Sequence, residues 1–398
     1  MKKLLSILGA ITLIGTTSTS VIACGGRNEP SPTSDTRTDL NTVIIKNELG
    51  IIYIGQLDKT NKTEILKAIK DKNKEAIDLT EDDFDFEYSP TATTATIIGK
   101  NNYEGKVSFN FTISMFKNIN NSGIPQHITI ERILKINNLI YVSTNYRDNK
   151  NVYKSTDGST FTALAGTSGS IWSLAVDSNN NVYAGSYNGN VYKSTDGYAF
   201  TALTGTSGSI WSLAVDSNNG NVYAGSYNGN VYKSTDGSTF TALAGTSGSI
   251  RSLAVDSNNN VYAGSYNGNV YKSTDGSTFK ALTGTSGSIR SLAVDSNNNV
   301  YAGSDNGNVY KSTDGSTFTA LTGTSGSIWS LAVDSNNGNV YAGSDNGNVY
   351  KSTDGSTFTA LTGTSGSIWS LAVDSNNGNV YAAGRADEKP SLFISERL

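Results

Sequence analysis

The side chains most often used for catalysis and metal binding are scarce in this chain. Its 398 residues include one histidine, His127, and one cysteine, Cys24. A single cysteine excludes an internal disulfide framework and a cysteine-rich zinc site. A single histidine excludes a multi-histidine metal site, and any histidine-based acid–base chemistry would depend on His127. We therefore expect no metal, no cofactor and no enzymatic activity.

Two recurring positions instead carry residue types that are common at binding surfaces. The first, two residues before a recurring leucine, is occupied by Trp172, Trp211, Arg251, Arg290, Trp329 and Trp369, with Arg132 as a seventh member if Leu134 corresponds to Leu174. The second is occupied by Tyr187, Tyr227, Tyr266, Asp305 and Asp345. Tryptophan and tyrosine offer flat apolar area with a polar tip, and arginine offers a planar set of donors. These types are enriched at binding hot spots and suit carbohydrate rings or anionic groups, so we predict a ligand-binding ring.

A second interpretation of the tryptophans stays open at this point. Strand alternation places Trp172 on the same side as Leu174 and Val176, so the tryptophans could pack as core between neighbouring sheets. Arginine at the equivalent position favours partial exposure, because an unpaired arginine is costly to bury.

The positions recur because the chain repeats itself from about residue 126 to its end. The motif Val-Tyr-Lys-Ser-Thr-Asp-Gly occurs six times at intervals of 39 or 40 residues. Its aspartates are Asp157, Asp196, Asp236, Asp275, Asp314 and Asp354. One unit predicts four short strands, at 171–176, 182–186, 191–194 and 200–203. This period with four short strands predicts an all-β seven-bladed β-propeller.

The strand count indicates how the propeller closes. We count seven inner, second and third strands but only six fourth strands. Residues 116–123 resemble a fourth strand and are predicted to pair with the last blade, which leaves no open sheet edge. Six or eight blades, or an open solenoid, are the competing counts. In four-stranded antiparallel blades the second-to-third hairpins and the fourth-to-first connections share one face. Both ring positions therefore fall at one mouth of the channel, and the aspartate turns fall on the opposite rim.

The N-terminal third has a different organisation. Residues 1–23 have a charged start and a short apolar core, as in a signal peptide, and the sequence around Cys24 resembles the lipobox of bacterial lipoproteins. Residues 24–38 are predicted to be a flexible tether, 39–114 a small α+β domain and 115–398 the propeller. Within the small domain, Val43 to Ile45 is predicted to be a strand. The formal net charge of −4 excludes a strongly basic nucleic-acid binder.

Two family resemblances follow from these segments. The motif Ser-Thr-Asp-Gly-Ser-Thr-Phe at Ser234 to Phe240, with its copies, resembles the Asp-box or BNR repeat of sialidase-like propellers, although its turn is one residue shorter. The resemblance implies that the aspartates hold the turns. Residues 39–114 are similar to short domains of spiralin-like surface lipoproteins. No sialidase site can be assigned, because the only glutamates of the propeller region lie in its degenerate first and last units.

The sequence thus predicts a monomeric binding or adhesion platform on the outer face of the plasma membrane. Lipid on Cys24 would attach it to the membrane, and its partner would be an extracellular protein or glycan. A structural surface scaffold and a sialidase-like hydrolase or lyase are the alternative functions.

Overall fold

A computed structural model describes residues 37–53, 62–88, 93–119, 123–145, 151–386 and 389–395. The predicted signal peptide, Cys24 and most of the predicted tether lie outside these described residues. No helix within them is long and apolar enough to cross a membrane.

Residues 38–114 form a small mixed four-stranded sheet covered by one helix, and a separate pair of short parallel strands. The strands span Thr38–Asp39, Glu48–Tyr53, Phe84–Phe86, Thr94–Gly99, Tyr103–Glu104 and Lys106–Ser114. The α-helices span Leu40–Val43 and Lys62–Lys72, and two 3₁₀ turns span Lys74–Ala76 and Glu81–Asp83. The longer helix buries Ile65 and Ile69 against the sheet, as its apolar spacing predicts. The strand predicted at Val43 to Ile45 is wrong, because Asp39 caps a short helix there instead.

Seven four-stranded antiparallel sheets follow within the described residues, numbered here sheet 1 to sheet 7 by their inner strands. The inner strands are Ile130–Ile136, Ile171–Val176, Ile210–Val215, Ile250–Val255, Ile289–Val294, Ile328–Val333 and Ser367–Asp374. The second strands are Leu139–Thr144, Val182–Ser186, Val222–Ser226, Val261–Ser265, Val300–Ser304, Val340–Ser344 and Asn379–Ala386. The third strands are Val152–Ser155, Val191–Ser194, Val231–Ser234, Val270–Ser273, Val309–Ser312, Val349–Ser352 and Lys389–Ser395.

The fourth strands are short. They span Thr162–Ala163, Thr201–Ala202, Thr241–Ala242, Lys280–Ala281, Thr319–Ala320, Thr359–Leu361 and, for sheet 7, Lys117–Asn118. The strand predicted at Phe200 to Leu203 is thus trimmed to its two central residues. Phe200 bonds instead to the preceding unit, through its backbone N–H to the carbonyl oxygen of Ala165.

The hydrophobic core lies between neighbouring sheets. Tyr183 and Val191 of sheet 2 pack with Ile210 and Leu213 of sheet 3, and this arrangement recurs around the ring. β-Branched and aromatic side chains suit such half-covered pleated surfaces. Each sheet therefore needs its neighbour to bury its apolar face, which favours a continuous array over independent units.

The first and last sheets close the array. Lys117 and Asn118 pair with Ile394 and Phe393, so the predicted closure by residues 116–123 is confirmed. The backbone N–H of Ile133 in sheet 1 also donates to the Ser370 hydroxyl in sheet 7, at 3.0 Å. These contacts leave neither end of the array as an exposed sheet edge.

A buried ion pair joins the same two sheets. The Lys135 ammonium lies 2.8 Å from an Asp374 carboxylate oxygen, and the two side chains are 7% and 8% exposed. Strand register places Lys135 where sheet 2 has Val176. Lys135 pairs with Ile140 in sheet 1, as Val176 pairs with Val182 in sheet 2. The ion pair is therefore specific to the junction that closes the array.

Candidate functional site

One mouth of the propeller holds a cavity of about 210 Å³. Its wall is formed by Glu131, Arg132, Trp172, Trp211, Arg251, Arg290, Trp329 and Trp369. The structure thus brings together all seven members of the predicted ring. Each of these side chains is partly exposed, so the tryptophans are not enclosed as core between sheets. A second cavity, lined largely by serine and leucine side chains of the inner strands, adjoins the ring.

A β-bulge places each ring residue. In sheet 2, Ile171 pairs with Ser186 and Ser173 pairs with Gly185, so Trp172 has no partner in the ladder. The same shift occurs at the corresponding position of the other six sheets. A bulge bends its strand and re-aims the side chain, and bulges are over-represented next to functional sites. Sequence reasoning missed this feature, because alternation alone predicts a regular strand.

The register corrects the assignment in sheet 1. There the bulge lies between Ile130 and Arg132, so Glu131 occupies the ring position and Ile133 corresponds to Leu174. The proposed match of Leu134 to Leu174 is wrong by one residue. The inner strand of the first unit has no tryptophan or serine that would fix the alignment. Arg132 nevertheless lines the cavity from the next position.

Contacts between neighbouring ring residues run around most of the circle. Trp172 and Trp211 lie with ring centroids 4.0 Å apart, and Trp329 and Trp369 stack at 5.9 Å. The Arg251 guanidinium carbon lies 3.6 Å from the centroid of a Trp211 ring, within cation–π distance. The side chains therefore support each other as a continuous wall.

The second predicted set surrounds the ring on the same face. Tyr187 lies 5.0 Å from Trp172, Tyr227 lies 6.5 Å from Trp211, and Tyr266 lies 5.3 Å from the Arg251 guanidinium. These three tyrosines are 57–59% exposed. They give one side of the mouth an accessible aromatic surface.

Aspartates replace the tyrosines on the other side of the mouth. A carboxylate oxygen of Asp305 lies 3.7 Å from the Arg290 guanidinium, and its other oxygen accepts from the backbone N–H of Ser288. Asp345 accepts from the backbone N–H of Ser327 at 2.8 Å. These aspartates hold the rim loops through backbone hydrogen bonds and add negative charge to this side of the mouth.

The electrostatics of the cavity follow from burial. Burial raises the pKa of Glu131 to about 7, although the neighbouring Arg132 opposes this shift. Burial also lowers the pKa of Arg251 to about 10, with a further contribution from the positive charge of Arg290. Near neutral pH the cavity therefore holds three guanidinium groups and one partly protonated carboxyl group.

The repeated aspartates lie at the opposite end of the third strands, as the hairpin order requires. The Asp275 carboxylate accepts from the backbone N–H groups of Ser277 and Thr278, at 2.8 and 2.9 Å, and from the Ser273 hydroxyl. The same bonds form at Asp157, Asp196, Asp236, Asp314 and Asp354. These bonds lower the pKa of each carboxyl group. The turns thus use the carboxylates as acceptors for their own backbone.

Among the described residues, no three histidine, cysteine, aspartate or glutamate side chains lie close enough to hold a metal ion together. The cavity at the mouth is lined mainly by aromatic rings and guanidinium groups.

Comparison with known proteins shows which propellers this fold resembles. Residues 198–232 and 315–350 match the family model of the WD domain, G-beta repeat. Each match begins at the turn before a fourth strand and continues to the third strand of the next sheet. The WD40 β-propeller domain of Doa1 is 16% identical, covers 70% of this chain and 97% of its own, and has a TM-score of 0.60. The chain has the fold of a WD40 β-propeller.

Two further solved structures share this propeller fold. U3-55K is 16% identical, with 71% of this chain and 98% of its own covered and a TM-score of 0.60. The computationally designed protein Ika8 is 17% identical, with 70% and 99% covered and a TM-score of 0.51. The predicted all-β propeller of repeated four-stranded sheets is thus confirmed. No curated protein sequence matches this chain.

The resemblance to a spiralin-like lipoprotein with a sialidase-like Asp-box propeller is wrong. The matching family model and the similar structures are of the WD40 type. The short motif misled because a serine hydroxyl and an aspartate carboxylate can cap any tight turn of this geometry.

Proposed function

We propose that the propeller is a non-catalytic platform that binds a protein partner at the mouth lined by the tryptophan and arginine ring. The observation that carries this proposal is the convergence of four tryptophans and three arginines on one cavity, bordered by three exposed tyrosines. Tryptophan, tyrosine and arginine are the residues that dominate binding energy at protein interfaces. WD40 propellers generally act as scaffolds for protein partners, which agrees with this assignment.

The absence of catalysis is part of the proposal. Glu131 is the one carboxylic acid among the residues that line the cavity. Hydrolysis of a glycosidic bond uses a pair of carboxyl groups in most enzymes and a tyrosine nucleophile in sialidases. The residues that line the cavity include neither a carboxyl pair nor a tyrosine. The aspartates of the repeated turns are engaged by backbone N–H groups at the opposite end of the third strands, and none of them lines the cavity.

The experiment compares exposed tyrosines on the two faces. A photo-crosslinking phenylalanine analogue replaces Tyr227 at the mouth or Tyr198 at the opposite end of the third strands. The two side chains are 59% and 67% exposed, so they are matched in accessibility. In cells that produce the full chain, we expect a discrete crosslinked protein at position 227 that is missing at position 198. Identical products at both positions, or a glycan with no protein, would contradict the proposal.

We further propose that the platform is carried on the outer face of the plasma membrane by lipid on Cys24. The support is the sequence alone, in which a charged start and a short apolar core precede the single cysteine. Two or three acyl chains would hold the protein firmly, because each buried methylene contributes about 0.8 kcal/mol. Cys24→Ala is expected to abolish incorporation of radiolabelled palmitate and to release the chain from membranes. Retained label would disprove the lipid attachment.

A further inference from the structure

Four consecutive ring positions form a symmetric arrangement on one side of the cavity. Arg251 and Arg290 occupy neighbouring sheets, and each guanidinium lies against a tryptophan on its outer side. The distances to the tryptophan ring are 3.6 Å for Arg251 on Trp211 and 4.4 Å for Arg290 on Trp329. Stacking on an aromatic ring fixes the plane of a guanidinium and leaves its edge for hydrogen bonding. The two arginines are thus held side by side.

Each of these four residues holds an N–H group without an acceptor. Within the described residues, no hydrogen-bond partner exists for the Nε atoms of Arg251 and Arg290 or for the Nε1 atoms of Trp211 and Trp329. All four atoms are shielded from solvent. A buried donor without an acceptor is destabilising. The ring therefore carries hydrogen-bond donors that the described residues leave unsatisfied.

The charge of this side of the cavity is also unbalanced. In the described part of the chain, no carboxylate lies within ion-pair distance of Arg251, and Arg290 has only Asp305 at 3.7 Å. Arg132 donates to the carbonyl oxygens of Glu131 and Trp369 on the other side. An anion between Arg251 and Arg290 would relieve their mutual repulsion and gain charge-assisted hydrogen bonds.

We propose that the cavity binds one carboxylate group of the partner protein, held between the guanidinium groups of Arg251 and Arg290. The inference rests on the proposed function and names the chemistry that its site recognises. A planar guanidinium matches the two oxygens of a carboxylate. The cavity of about 210 Å³ is smaller than the roughly 300–1,000 Å³ of a typical small-molecule pocket, so its size suits one inserted side chain or chain end. The carboxylate can belong to an aspartate or glutamate side chain or to a C-terminus.

All four tryptophans of the chain line this cavity, so intrinsic fluorescence reports on it directly. The full chain is titrated with the capped peptides acetyl-Gly-Glu-Gly-amide and acetyl-Gly-Gln-Gly-amide, which differ only in charge. Acetyl-Gly-Gly-Gly with a free C-terminus tests the second source. We expect at least about tenfold tighter binding of one or both carboxylate peptides than of the glutamine peptide. Equal binding of the glutamine peptide would overturn the proposal, as would binding of a phosphoserine peptide alone.

Substitutions of Arg251 test whether this residue holds the carboxylate. Arg251→Gln is expected to weaken binding of the carboxylate peptide at least about tenfold. The control is Lys280→Thr, which gives a fourth strand outside the cavity the threonine found in other sheets. It is expected to leave binding unchanged. Arg251→Trp provides a second variant that folds, because Trp211 occupies the same position in sheet 3. It should lose carboxylate binding by calorimetry. Unchanged binding in both Arg251 variants would refute the assignment. If the peptides do not bind but mouth crosslinking persists, this inference fails and the proposed function stands.

Discussion

The buried ion pair between Lys135 and Asp374 makes the closing junction sensitive to a single substitution. We predict that Lys135→Val destabilises the propeller, although valine is the residue at this position in the six other sheets. The other Asp374 oxygen accepts from the backbone N–H of Asn376 at 3.1 Å, so loss of Lys135 leaves one buried oxygen without its cation. Removing one member of a buried pair costs about 3–5 kcal/mol.

The equivalent aspartates show what a junction without lysine requires. In sheet 3 the Asp216 carboxylate accepts from the side-chain amide of Asn219 at 2.6 Å. The corresponding amide in sheet 7 belongs to Asn377, which can reorient toward Asp374 and recover part of the loss. We therefore expect the free energy of unfolding to fall by about 3 kcal/mol, the lower end of the range.

Chemical denaturation followed by far-UV circular dichroism measures the effect. The set comprises wild type, Lys135→Val, Asp374→Asn and the double variant, with Lys280→Thr as a matched control expected within about 0.5 kcal/mol of wild type. Lys135 lowers the pKa of Asp374, so the stabilisation is present above about pH 3.9 and is lost as the pH falls through the lower folded-state pKa. A coupling energy near zero, or a Lys135→Val loss that does not shrink in acid, would refute the reasoning.

Three further predictions concern the turns and the ring. Gly205→Ala should destabilise the protein by more than about 1 kcal/mol, because the added Cβ would lie 2.0 Å from the Phe240 carbonyl oxygen. Gly220→Ala is the control in denaturation experiments, with positive φ but open space. In wild type, stability should fall by up to about 3 kcal/mol as the pH rises from 5 to 8, because burial raises the Glu131 pKa to about 7. Glu131→Gln should abolish this fall. Parallel pH profiles of the two proteins would contradict the prediction. Asp275→Asn should make the acid-induced loss of stability below pH 3.9 shallower, because turn N–H groups lower that pKa and the stabilisation disappears as the carboxylate is protonated.

Much of the propeller could be predicted because the same strand and turn motifs recur in each unit of the sequence. The inner, second and third strands of sheet 2 have the bounds expected from alternation and from the Asn188-Gly189 turn. The closing strand at Lys117–Asn118 followed from counting strands, since a missing fourth strand must be supplied from elsewhere. These predictions depend on local pattern and on the cost of an open edge, both of which the sequence carries.

The errors arose where the repeat was lost or where local bonding overrode the pattern. In sheet 1, matching leucine to leucine misplaced the ring residue by one, because the bulge changes the pairing without changing the hydrophobic pattern. Val43 begins no strand, because it is the last residue of a helical turn that the side chain of Asp39 caps. A β-branched run predicts a strand only where no cap competes.

The ring illustrates how a repeat array acquires a specific site. Identical sheets place the same backbone bulge around the mouth, so geometry alone would give a uniform ring. Substitution of tryptophan by arginine in sheets 4 and 5 leaves the core residues Ile250 and Ile289 unchanged and fully buried, because the bulged residue contributes little to packing between sheets. Chemistry at the mouth can therefore change sheet by sheet at small cost in stability. The adjacent position of Arg251 and Arg290 then matters more than their number, since only neighbours can share one anionic group.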